Sequence, residues 1–433
     1  MRQLFLLLTI FCIISFMSPN FVKAITLEEA AEIALRQNPS LQQTQSDINT
    51  AIESLNIAKG RRGFTLTITG SADANKNEGV DISESASTRL GASVPIYSGG
   101  QLKANIKAAD LYLQISKLNY LQATDDLIYK VAVAYVDALE ANATHAVDIE
   151  SLENYASHEQ LISDLFNAGS KAKIDLLRAQ VETSDAHQKS VLSQANYEVS
   201  LTNLANLLSI PQISNLTLVD IVDDTTNAAS LNDLENYIST AEQQRANLQA
   251  DYLQIERGEQ LLKSAKAAWL PSLNASASTG INAQSDKWDP TSNATAGLSA
   301  SWNIFDSNVT RAEVESSKIE IQRLELALKN DIDSVHSEVV TAYKNLSSAI
   351  FRLSTTQNAV DLAVEERYIA SERYRAGEGI LLDILDAEVA LSTAKKNHVS
   401  AKYDVLRYKF ALNHALGNTF QDYTISQSEI NVN

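Results

Sequence analysis

Two stretches of this chain contain neither glycine nor proline, and both far exceed the length of an ordinary helix: Gln101 to Ala168, and Ser299 through Ala376. Those two residue types are what interrupt helices, so the spacing predicts a pair of very long helices. A run of 68 residues is a helix on the order of 100 Å long. Within the first, Ile128, Val131, Tyr135, Ala138, Asn142, His145, Ile149 and Leu152 step by three and four, the spacing of a coiled-coil seam. His145 reads there as a packed or solvated seam residue rather than a ligand.

Each long helix stops at glycine. Gly169 ends the first; Gly377 and Gly379, in Arg373-Tyr374-Arg375-Ala376-Gly377-Glu378-Gly379, end the second. Glycine enters positive φ without a Cβ clash, which suits a helix stop and turn. A return helix follows each turn. The distance from Gly169 to Gly377 is 208 positions, as is that from Asp175 to Asp383. The same offset relates Ile96-Tyr97-Ser98-Gly99 to Ile304-Phe305-Asp306-Ser307, and Lys103-Ala104 to Arg311-Ala312. Ala58-Lys59 and Ala265-Lys266 match one position short of it. An offset held across several elements marks a tandem duplication.

The first repeat spans 25–208. Thr26-Leu27-Glu28-Glu29 opens a helix with a threonine cap and acids in its first turn. Asn38-Pro39 breaks it, and Pro39 opens a second helix to about residue 60. The period then changes to two, predicting a β-hairpin over 64–97, followed by the long helix 101–168 and the return helix 174–208. A linker, 209–230, leads to the second repeat, 231–417, with hairpin 273–305 around Trp288-Asp289-Pro290, long helix 309–376 and return helix 380–416. A tail, 418–433, completes the chain. In each repeat the short helix before the hairpin and the return helix together nearly equal the long helix. Economical packing sets these two end to end beside the long one, antiparallel, with the first helix and the linker forming a belt at the junction.

The strands are of 10–12 residues and alternate, as in Phe64, Leu66, Ile68 against Thr65, Thr67, Thr69. That length and pattern match a transmembrane strand, but alternation alone favours a soluble half-buried hairpin. Four strands cannot close a barrel, and an open edge in lipid leaves backbone groups unsatisfied, so a membrane location requires several copies. Phe64, Tyr97, Trp269, Trp302 and Phe305 gather at the helix-proximal strand ends. There they would either form a membrane-interface girdle or pack the strand–helix junction.

Residues 1–24 read as a cleaved signal peptide: Arg2, an apolar Leu4–Phe16 and Val22-Lys23-Ala24. Cys12, the one cysteine, lies inside it, and so do both methionines. The remainder has no thiol chemistry, and a soft-metal relay is disfavoured. A net charge of −18 argues against nucleic acid. The six histidines are scattered, with no H-E-x-x-H, G-x-S-x-G or phosphate-binding Gly-Lys loop, so neither an enzyme nor a cofactor or metal site is expected. On residues alone the rival to a membrane-embedded assembly is a periplasmic or surface coiled-coil protein with a structural or adhesive role and no pore.

Several motifs carry a resemblance: Ile25-Thr26-Leu27-Glu28-Glu29-Ala30 followed by Asn38-Pro39; Val94-Pro95-Ile96-Tyr97-Ser98-Gly99-Gly100; and Tyr374-Arg375-Ala376-Gly377 with Asp383-Ile384-Leu385-Asp386-Ala387. In this order and duplication the sequence resembles the TolC-like outer membrane efflux proteins. The resemblance implies a mainly α fold with a small β part. Three protomers would form a twelve-helix α-barrel in the periplasm, continuous with a twelve-stranded β-barrel in the outer membrane of a Gram-negative cell. It implies a passive exit duct for efflux or type I secretion, served by a periplasmic adaptor and an inner-membrane pump or ABC exporter. The two turns, with Gly169, Gly377, Gly379 and Arg375, would be the tip where the adaptor docks. Asp383 and Asp386 match inward-facing acids near the tip, Tyr374 a gate tyrosine, and Asp175 the acid that holds the gate shut. As plain helix residues, the same aspartates are a cap and first-turn dipole partners. Where some members place an arginine to pair with that acid, this chain has Gly379; Arg375, Lys171 and Lys173 are the nearby cations.

Overall fold

The computed structural model describes residues 24–76, 82–210, 217–221, 233–284 and 289–417. Residues 1–23 of the expected signal peptide, Trp288, most of the 209–230 linker and the 418–433 tail lie outside them. The described helices are α1 (Leu27–Gln37), α2 (Pro39–Gly60), α3 (Gln101–Asn167), α4 (Lys173–Leu208), α5 (Leu234–Gln244), α6 (Ala246–Lys266), α7 (Val309–Arg375) and α8 (Leu381–Ala415). The strands are β1 (Ala24–Ile25), β2 (Thr65–Asn75), β3 (Ser83–Ser98), β4 (Thr217–Leu218), β5 (Ser272–Gln284) and β6 (Thr291–Ser301). Both glycine-free stretches are single helices of 67 residues. None of the described helices is long and apolar enough to cross a membrane.

The duplication is carried by backbone handedness as well as by sequence. Left-handed residues occur at Gly99, Gly100, Gly169 and Ser209, and again 208 positions later at Ser307, Asn308, Gly377 and Gly417. At Gly99 the requirement is steric too, since a Cβ there would sit 2.6 Å from the carbonyl oxygen of Ala267.

The chain divides into two compact units. One comprises residues 40–124 and 238–338 and contains a four-stranded antiparallel sheet of order β2-β3-β5-β6. Leu66 pairs with Ala92, Ala92 with Ala277 and Ala277 with Ala296, which fixes the composition of each face. Leu66, Ile68, Leu90, Ile281 and Leu298 share one face, whose only charged strand residue among those described is Glu84 near the loop end. Thr65, Ser71, Ser93, Ser278 and Thr295 share the other. That second face is stitched by hydroxyl pairs: Thr65 with Ser93 at 2.7 Å, Ser71 with Ser87 at 2.9 Å and Ser278 with Thr295 at 2.9 Å. No described residue covers the apolar face, with Leu298 71% exposed. β6 ends at Ser301, four residues before the expected strand end at Phe305. There Asp306 accepts from Thr310 N at 2.9 Å and caps α7, so the chain has already left the sheet. In the same unit Gly258 lets α6 approach α7, since a Cβ on it would lie 3.2 Å from Ile321.

The other unit comprises the N-terminal segment to Pro39, Asp125–Tyr237 and Val339 onward. Thr26 and Glu29 form a reciprocal cap on α1, the Thr26 hydroxyl accepting from Glu29 N and the Glu29 carboxylate from Thr26 N. β1 pairs in parallel with β4, tying the start of the first repeat to the linker. The fully buried Tyr135 reinforces that pair, its hydroxyl 2.7 Å from both Ile25 O and Val219 O and able to donate to one at a time. Burial pushes its pKa up to about 12. Asn38 Nδ2 donates to Leu207 O at 3.0 Å, joining the α1–α2 break to the end of α4.

The heptad seam of α3 holds through Ile128, Val131, Tyr135 and Ala138, all buried. Beyond that the expected positions Asn142 and Ile149 are exposed, and Asp148, Ser151, Tyr155 and Ile162 are buried in their place. The reason is a second neighbour. Here α3 faces α4, with His145 Nδ1 3.0 Å from Ser193 Oγ, and also α8, with Asp148 on Lys396 at 2.5 Å. One narrow stripe cannot serve two partners.

Candidate functional site

The two helix turns are built alike. After α3, Ser170 N donates to Leu165 O at 2.8 Å around the left-handed Gly169. After α7, Glu378 N donates to Arg373 O at 2.9 Å around Gly377, the same bond 208 residues on. Both bonds run back five residues to satisfy a terminal helix carbonyl, which requires the left-handed residue between them. Gly379 answers a different constraint. A Cβ there would lie 3.1 Å from Tyr374 N and 3.3 Å from Arg373 C, so any side chain at this position, an arginine included, requires the turn backbone to give by a few tenths of an ångström.

The sequence-predicted residues divide between core and surface. Tyr374 is buried in a cluster with Tyr155, Ile162, Ala179, Leu381 and Ile384, which binds α3, α4, α7 and α8 beside the turns. The Lys171 ammonium lies 4.5 Å from the Tyr374 ring centroid, a cation–π contact joining the two turns. Asp383 and Asp386 are exposed, one helical turn apart. Asp383 also caps α8 from within its first turn, its Oδ2 accepting from Ile380 N at 3.2 Å. Asp175 is half-buried in the first turn of α4 and has no ion-pair partner among the described residues. Two of the three nearby cations are engaged elsewhere, Lys171 on Tyr374 and Arg375 with Glu372 at 2.9 Å.

A polar cluster beside the aspartates was not singled out from sequence. Glu388 is 1% exposed; its Oε1 accepts from Asn154 Nδ2 at 2.8 Å, and its Oε2 lies 4.0 Å from Arg367 Nη1. Arg367 Nε, Glu388 Oε2 and the Tyr374 hydroxyl have no hydrogen-bond partner among the described residues. Burial holds Glu388 above the ordinary glutamate range, against the pull of Asn154 and Arg367. Burial, then Arg367 and Arg375, hold His158 below the ordinary histidine range. The signal for Glu388 was periodicity: it continues the apolar face of Leu381, Ile384 and Leu385, where a carboxylate is out of place.

At the sheet, all five aromatics fall at or beyond the helix-proximal strand ends and are exposed, Phe305 most of all at 80%. Trp302 Nε1 donates to Trp269 O at 3.0 Å, linking the approach to β5 with the exit from β6.

The chain was compared with known proteins. It is 22% identical to the outer membrane protein TolC of Escherichia coli over 416 residues, which cover 91% of this chain and 83% of TolC. It is 25% identical to the pyoverdine export outer membrane protein OpmQ of Pseudomonas aeruginosa, over 81% of this chain and 73% of OpmQ. Its fold matches the solved structure of the outer-membrane channel OprN with a TM-score of 0.80 at 21% identity, covering 91% of this chain and 90% of OprN. The family model described as outer membrane efflux protein matches twice, over residues 30–209 and 237–418, once on each repeat. These two matches take in most of the chain, and the chain belongs to the outer membrane efflux protein family.

Proposed function

We propose that this protein is the passive exit duct of a tripartite efflux or type I secretion machine in the outer membrane of a Gram-negative cell. The observation that carries the reading is the four-stranded sheet. Among the described residues its apolar face has no partner, its opposite face is hydroxyl-lined, and its outer strands β2 and β6 each pair on one side only. Lipid accepts such an apolar face, but it does not accept unpaired strand edges. Three copies joined β6 to β2 would remove every edge and give the twelve strands of a closed barrel.

The exposed apolar residues along the long helices, among them Phe351, Leu362 and Tyr368 on α7, fit burial against further copies in the matching helical barrel. The turns at Gly169 and Gly377 supply the docking end for a periplasmic adaptor, behind which an inner-membrane pump or ABC exporter provides the energy. Asp383 and Asp386 of three copies make a ring of six carboxylates that favours cations at that end. Tyr374 and Asp175 belong to the mechanism that closes it.

Outer-membrane fractionation together with planar-bilayer recording tests the reading. The expected product is a membrane-embedded trimer that conducts. A soluble, non-conducting protein would return the chain to the coiled-coil structural class.

A further inference from the structure

We infer that Arg89 makes an anion-selective ring inside the β-barrel, a second charge filter separate from the acidic tip; this rests on the three-copy duct proposed above. Among the described strand residues of the hydroxyl-lined face there are two charges, Asp73 and Arg89. Register places Arg89 opposite Thr69 on β2 and opposite Gly280 on β5, so both flanking strands offer it a small, uncharged neighbour. Along β3 the same face continues with Ser87 and Gly91. Asp73 is four residues further along β2 than Thr69, about 13 Å away at a strand rise of ~3.3 Å per residue. Among the described residues Arg89 has no ion-pair partner, and it is exposed.

The neighbouring glycine fits this placement. A Cβ on Gly280 would lie 2.9 Å from Thr88 O and 3.4 Å from the Arg89 Cα. Gly280 therefore keeps β5 close against β3 at the height of Arg89, and the side chain nearest its missing Cβ is the uncharged amide of Asn293, whose Oδ1 would lie 3.3 Å from it. An arginine in a wall of hydroxyls, with no carboxylate of the described residues in reach, is a standing site for a transient anion.

Magnitudes decide whether three such residues act together. Twelve strands about 4.8 Å apart, tilted by about 40°, close into a barrel roughly 25 Å across between backbones. Extended inward, three guanidinium groups stand roughly 10 Å from one another, comparable to the ~10 Å Debye length at 0.1 M salt. Their fields overlap across the lumen at that ionic strength and separate at 1 M, where the Debye length is ~3 Å. The ring therefore attracts polyvalent anions such as phosphates and polycarboxylates, in a salt-dependent way and only from the barrel end.

Single channels in a planar bilayer provide the test, with inorganic tripolyphosphate added to the barrel-side compartment. At 0.1 M KCl the wild-type channel is expected to be blocked, and 1 M KCl to relieve the block. Arg89→Gln should raise the half-blocking concentration about tenfold or more, while Arg89→Lys should retain most of the block. Thr69→Glu, directly opposite in register, should neutralise the ring and relieve the block without altering Arg89 itself. Conducting wild-type channels that ignore tripolyphosphate, or a block in Arg89→Gln and Thr69→Glu as strong as in wild type, would overturn the ring and leave the duct standing. A wild-type protein that forms no channels would overturn both.

Discussion

Asn154 on α3 and Glu388 on α8 lie 234 residues apart in sequence and are joined by one hydrogen bond of 2.8 Å, from the amide Nδ2 to a carboxylate that solvent does not reach. Burial outweighs the amide and Arg367, so the Glu388 pKa is raised. An acid raised on folding is most stable folded in its protonated form. Its contribution is present in full below the ordinary glutamate range and is lost as pH rises through the raised value. Glu388→Gln keeps the acceptor for Asn154 and removes the ionisation. We expect its thermal midpoint in detergent to exceed wild type near pH 8 and to converge with it near pH 4. A difference that does not change with pH would contradict this.

Asp251 on α6 and Asp331 on α7 make a second acid-dependent contact. Burial, a hydrogen bond from one carboxyl to the other, and their mutual repulsion raise Asp251 to about 6. The contribution of protonated Asp251 is present in full below the ordinary aspartate range and is lost as pH climbs through about 6. Asp331→Asn supplies a donor that needs no proton. Its unfolding midpoint should vary less than that of wild type between pH 4 and pH 7, and equal slopes would refute the shared proton.

Gly377 has φ +78° and no atom within 4 Å of where a Cβ would lie, so the effect of a substitution there is conformational. Gly377→Ala should cost roughly 1–2 kcal/mol from the left-handed backbone alone. Ser209 occupies the same conformation where the second repeat has Gly417. Ser209→Gly should gain up to about 1 kcal/mol, the relief of the left-handed strain less the added flexibility of the unfolded chain. Denaturant midpoints of the two variants should move in opposite directions.

Asp383 serves α8 as well as the proposed acidic ring, so its replacement must preserve the bond to Ile380 N. Asparagine does so. The double variant Asp383→Asn, Asp386→Asn should conduct and lose block by trivalent cations added at the turn end, with a half-blocking concentration higher by about tenfold or more. Retained block would move the cation site elsewhere.

The long helices, their turns and the duplication were legible because each depends on a local signal: missing breakers, glycine at left-handed positions, and a constant offset. The exit from β6 was misplaced because Trp302-Asn303-Ile304-Phe305 continues an apolar alternation, while the helix cap at Asp306 is set by side-chain geometry. The lower part of the α3 seam was misplaced because a heptad describes one partner and this helix has two. Glu388 was passed over for a related reason. Its position on an apolar face is visible in sequence, but its partners come from α3 and α7, and sequence spacing does not indicate which distant helices meet it. Asp383 illustrates the remaining ambiguity: the pattern that starts a helix and the pattern that lines a gate are here the same residue.

The hydroxyl pairs on the polar face of the sheet bear on what a solute in the duct would meet. Thr65 with Ser93, Ser71 with Ser87 and Ser278 with Thr295 already satisfy one another across neighbouring strands. A wall whose donors and acceptors are paired sideways competes weakly for the functional groups of whatever passes. Passage then resembles diffusion beside a wetted, slippery lining, with little chemical adhesion to slow release. Such a surface discriminates by bulk and by net charge, which suits an outlet whose cargo has already been chosen upstream.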